Sequence, residues 1–125
     1  MKNVSTKIRL GAAIIFGLSS LVFSIKTNAD DYATRQARSY ISDAEYKLRQ
    51  GENLRNDAEY YKRQAESYQR DANSYSRSGN SAKALEYQKK ATKAMETYNS
   101  KLQESKRADR DAADYLRKAA NRLSY

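Results

Sequence analysis

Residues 57–77 read DAEYYKRQAESYQRDANSYSR and divide without remainder into DAEYYKR, QAESYQR and DANSYSR. Each unit has alanine at its second position and tyrosine three residues further on. Upstream, QARSYIS, DAEYKLR and QGENLRN extend the same heptad over six consecutive units, residues 36–77. The register places Ala37, Ala44, Gly51, Ala58, Ala65 and Ala72 at one core position. Tyr40, Leu54, Tyr61, Tyr68 and Tyr75 take the other, Lys47 being the exception, and Ile41 and Leu48 widen the stripe on one side. Apolar spacing of three and four sustained this long predicts an amphipathic helix with a coiled-coil-like seam. Gln36, Asp43, Gln50, Asp57, Gln64 and Asp71 alternate at the position before each small residue, the trace of a duplicated short unit.

The pattern breaks at Arg77-Ser78-Gly79-Asn80-Ser81. Glycine takes the left-handed conformation that ends a helix, and Asn80 or Ser81 is suited to cap the next one. The sequence therefore predicts a helix over 31–77, a turn over 78–81 and a second helix over 82–123. The second stripe reads Ala84, Ala91, Met95, Tyr98, Leu102, Ser105, Ala112, Leu116, Ala119 and Leu123; Asp109 interrupts it, where Ala108 is placed to substitute. Two long helices joined by a short turn make an antiparallel hairpin, an all-α fold. Small residues at one seam position let the backbones approach closely. Tyrosine at the other lays its ring along the flank of that thin seam and keeps its hydroxyl at the water edge. So thin a core carries the further expectation that two hairpins pair into a four-helix bundle.

The start of the chain reads differently. Lys2, Lys7 and Arg9 precede an apolar run over 10–25, LGAAIIFGLSSLVFSI, and Thr27 and Ala29 supply small residues at a cleavage position. The run is shorter than the roughly 20 residues needed to cross a bilayer. Residues 1–29 are read as a secretory signal peptide cleaved after Ala29, which makes the protein exported, periplasmic or secreted. The remaining residues, 30–125, hold one domain, with no cysteine for a disulfide and no proline to interrupt a helix.

No histidine and no cysteine occur anywhere in the 125 residues. Their absence removes Ser-His-Asp triads, thiolate nucleophiles and HExxH zinc sites, and no glycine-rich phosphate loop occurs either. Asp109, Asp111 and Asp114 sit among Lys106, Arg107, Arg110 and Arg117 and read as exposed ion pairs rather than a cation site. The expectation is a non-enzymatic protein with no cofactor, no metal and no small-molecule substrate.

Contact surfaces are more legible. Of eleven tyrosines, Tyr46 and Tyr60 fall outside the seam, beside Arg49 and Arg63. Tyrosine with arginine is the pairing enriched at binding hot spots. The whole-chain charge of +9 falls to +5 without residues 1–29, and it is shared unevenly: 30–77 holds nine basic and nine acidic residues, whereas 81–125 holds eleven basic and six acidic. Lys89, Lys90 and Lys93 lie in the densest basic stretch, within ALEYQKKATKAMETYNSK. Three functional classes follow. The first is protein contact or self-assembly in the envelope or outside the cell, with an unidentified protein partner or a homo-oligomer. The second is binding of anionic surfaces (lipid headgroups, lipopolysaccharide, nucleic acid) by the basic second helix. The third is a periplasmic holdase-like chaperone or secreted effector.

Overall fold

Forty-six consecutive residues, Tyr32–Arg77, form helix α1, and forty-three, Ser81–Leu123, form helix α2. The computed structural model describes residues 31–124, and the signal-peptide reading of residues 1–29 lies outside them. The two helices pack against each other as an all-α hairpin. The boundaries differ from those read in the sequence by one residue at two places. Asp31 stays outside α1 as its cap, its Oδ1 accepting from the Thr34 backbone N–H at 2.6 Å. The hydrogen bonds from Thr34, side chain first, hold the Asp31 carboxyl below the usual carboxylate range, with Arg35 adding to the effect. Ser81 belongs to α2 and not to the turn, because the cap of α2 is Asn80: its Oδ1 accepts from the Lys83 backbone N–H at 3.2 Å.

The turn is closed by two reversed hydrogen bonds. The Asn80 N–H donates to the Tyr75 carbonyl at 2.9 Å and the Gly79 N–H to the Ser76 carbonyl at 3.1 Å. This is the Schellman arrangement, and it requires Gly79 at φ +81°, a conformation open to glycine at little cost. Asn80 thus ends one helix and starts the next.

Contacts divide the hairpin into two units, Lys47–Asp111 and the described parts of Met1–Tyr46 with Ala112–Tyr125. In Lys47–Asp111, a Cβ on Gly51 would lie 3.4 Å from the Ser105 carbonyl oxygen, which fixes the register. Counting heptads from that contact sets Ala65 opposite Ala91 and Ala72 opposite Ala84, all four buried. In the other unit Ala37, Ala44, Ala112 and Ala119 are all buried, and the helices meet at the Tyr40–Tyr115 stack. Every small residue named for α1 is buried, and Tyr40, Leu54, Tyr61, Tyr68 and Tyr75 are half-buried at its edge.

On α2 the stripe needs correction. Met95 and Leu123 are exposed, and Ala94 is buried in place of Met95. Where two backbones lie this close, the smaller side chain takes the seam and the longer one is displaced outward. Ala108 is buried, so it does substitute for Asp109. Asp109 and Asp111 are not merely ion pairs on their own helix: they reach across to α1, Asp109 to Arg55 at 2.9 Å and Asp111 to Lys47 at 3.6 Å. Asp114 does pair locally, with Arg117 at 3.0 Å.

Candidate contact surface

Most tyrosines are committed to the hairpin itself. In Lys47–Asp111, the Tyr87 ring stacks on Tyr75 at 5.3 Å between centroids and tilts against Tyr68 at 6.1 Å. Lys90 lies over Tyr87 at 4.7 Å and Lys83 over Tyr75 at 5.2 Å. In the other unit, Tyr40 stacks on Tyr115 at 6.3 Å, with Lys118 over Tyr115 at 5.3 Å. Both clusters use the same device: tyrosine on α2 meets tyrosine on α1, and a lysine three residues after the α2 tyrosine covers the rings.

This device splits the lysines grouped in the sequence. Lys90 is held by the rings and by Glu86 at 3.6 Å. Lys89 and Lys93 face elsewhere, lining an open groove on α2 with Leu85, Gln88, Thr92 and Glu96. All three are exposed, and Lys90 is the one held over the rings.

Tyr46 and Tyr60 are the opposite case. They are 60% and 53% exposed. Tyr60 packs edge-on against the neighbouring Tyr61 ring at 5.4 Å, which steadies its orientation without hiding it. Arg49 and Arg63 are exposed, and neither belongs to any of the ion pairs among the described residues. A third member of the set escaped the sequence reading. Tyr32, 67% exposed, precedes Arg35 by the same three residues and Tyr46 by fourteen. The signal that finds it is the recurrence of Tyr-x-x-Arg as YATR, YKLR and YYKR at fourteen-residue intervals.

Among the described residues no helix is long and apolar enough to cross a membrane, and no group of three acidic side chains is placed to hold a metal ion. Comparison with protein-family models, with curated proteins and with solved structures finds no match for this chain. What defines it is its own construction, a helical hairpin with an alanine seam, tyrosine flanks and a separate exposed Tyr-Arg row on α1.

Proposed function

We propose that this is an exported, non-enzymatic helical protein that works by contact, with a protein partner or with further copies of itself, in the cell envelope or outside the cell. One observation carries the reading. Tyr46 and Tyr60 stand exposed beside Arg49 and Arg63, whose guanidinium groups have no ion-pair partner among the described residues. Rigid aromatic rings next to unpaired guanidinium groups are the composition of a binding hot spot, because the ring buries a large area at low cost in side-chain freedom and the guanidinium presents a planar fork of hydrogen-bond donors. The other tyrosines of the described helices, apart from Tyr32, are half-buried at the seam edges. A photo-crosslinking residue at Tyr46 or Tyr60, introduced into the full chain in its native host, should give a discrete protein adduct. The same residue at Ser78, in the turn, serves as the background. Equal, diffuse labelling from all three sites would sink the contact reading.

A further inference from the structure

The outer face of α1 repeats with a longer period than its seam. Residues 36–49, 50–63 and 64–77 form three fourteen-residue units, QARSYISDAEYKLR, QGENLRNDAEYYKR and QAESYQRDANSYSR. Four positions are identical in all three: glutamine at 36, 50 and 64, aspartate at 43, 57 and 71, alanine at 44, 58 and 72, and arginine at 49, 63 and 77. The alanines are buried in the seam and have a packing reason to recur. The aspartates and arginines are all exposed and have none. The position edging the seam at 41, 55 and 69, by contrast, changes from Ile to Arg to Gln. Duplication accounts for the origin of the repeat, but water accepts any polar side chain, and the exposed position at 42, 56 and 70 has changed from Ser to Asn to Arg, so solvation does not keep one aspartate and one arginine per fourteen residues. Nor do ion pairs among the described residues: the four that form use none of these six side chains.

Their placement on the helix is ordered. Asp43, Tyr46 and Arg49 are three residues apart in turn, as are Asp57, Tyr60 and Arg63, and the third unit repeats the spacing with Ser74 between Asp71 and Arg77. A step of three residues falls about 60° short of a full helical turn. The aspartates therefore run along one flank of the tyrosine row and the arginines along the other. When two parallel helices are related by a two-fold axis along their length, the left flank of one meets the right flank of the other, so arginine meets aspartate. Antiparallel pairing brings arginine to arginine instead. In register, Arg49 lies six residues, about 9 Å, above Asp43 of the second copy; both side chains lean toward the N-terminus, and the longer arginine reaches further that way than the aspartate, which shortens that gap.

We propose that the outer face of α1 is a self-recognition surface, on which a second copy of this chain pairs in parallel through reciprocal arginine–aspartate rows flanking the exposed tyrosines. This rests on the contact reading above and names the partner. Two charge-row variants of the full chain test it: an acidic one with Arg49→Asp, Arg63→Asp and Arg77→Asp, and a basic one with Asp43→Arg, Asp57→Arg and Asp71→Arg. Affinity-tagged wild type should capture untagged wild type, less so as salt rises. Neither variant should capture itself, and each should capture the other. A variant that captures itself as well as wild type does overturns the proposal. Direction is read from single cysteines in this cysteine-free chain: Ser39→Cys and Ser67→Cys, both in the tyrosine row, should each form a disulfide with its own copy. Disulfides between the Ser39→Cys and Ser67→Cys chains alone would mean antiparallel pairing and overturn it. Failure of self-capture, with discrete crosslinks from Tyr46 to another protein, refutes the pairing and leaves the contact function standing.

Discussion

Gly51 is the one glycine in the α1 seam, and Asp109 is the reason. A Cβ at position 51 would lie 2.7 Å from Asp109 Oδ1, so the carboxylate occupies the room an alanine methyl takes elsewhere in the repeat. The other oxygen, Oδ2, accepts from Arg55 Nη1 at 2.9 Å, while Oδ1 is buried without a hydrogen-bond partner. These opposing effects predict a coupling. Gly51→Ala gains about 1 kcal/mol of helix propensity but displaces Asp109 from Arg55, a half-exposed ion pair that contributes at most about 1 kcal/mol. Alone it should be close to neutral. In an Asp109→Ala background the space is free, and Gly51→Ala should stabilise by the full propensity term of about 1 kcal/mol. Denaturant unfolding of the four proteins measures the coupling, and additive effects would show that the glycine and the carboxylate do not contend for one space. This contact is not legible from the sequence, which marks Asp109 as an interruption of the stripe and as an exposed ion pair on its own helix. Which α1 residue it meets depends on the register between helices, and that is set by the closure of the turn at Gly79 rather than by any local pattern.

At the scale of the helix, α1 was readable almost residue by residue. Its small positions sit at strict intervals of seven, and all six are buried. α2 is less legible, because its seam selects small size over hydrophobicity. Met95 was placed in the seam and Ala94 holds it. Tyr87 and Tyr115 each follow a seam alanine by three residues, Ala84 and Ala112, as Tyr68 follows Ala65. The better rule for this hairpin is alanine first, tyrosine three residues later, on both helices. It makes close backbone approach the controlling feature, and Ala65 tests it. Ala65 is 4% exposed, and the heptad count from Gly51 and Ser105 sets it opposite Ala91. Ala65→Leu should cost on the order of 1–3 kcal/mol by overpacking, with Ala65→Ser milder. Leucine and alanine both favour helix, so propensity does not mask the loss. A higher midpoint for Ala65→Leu in thermal or denaturant unfolding would mean that the seam is loose.

For the whole hairpin, the buried apolar residues are eleven alanines and Ile41 among the described residues, while the tyrosine rings remain half in water. An alanine methyl removes far less apolar area from water than a leucine or phenylalanine side chain, and the heat capacity of unfolding follows the apolar area exposed. Calorimetry of the dilute protein should therefore give a heat-capacity change below the usual range of about 12–15 cal/mol/K per residue. A value inside that range at low concentration would mean that the isolated hairpin buries more than its alanine seam. Concentration adds a second reading. Pairing of copies along α1 covers Tyr46 and Tyr60, and a four-helix bundle would cover the seam-edge rings as well. Either route transfers aromatic surface from water, so the heat-capacity change and the unfolding midpoint should both rise with concentration. The acidic and basic charge-row variants separate the two routes. They remove the attraction along α1 but leave the seam edges untouched, so a concentration dependence that survives in each variant alone belongs to the bundle, and one that returns only on mixing them belongs to the α1 face.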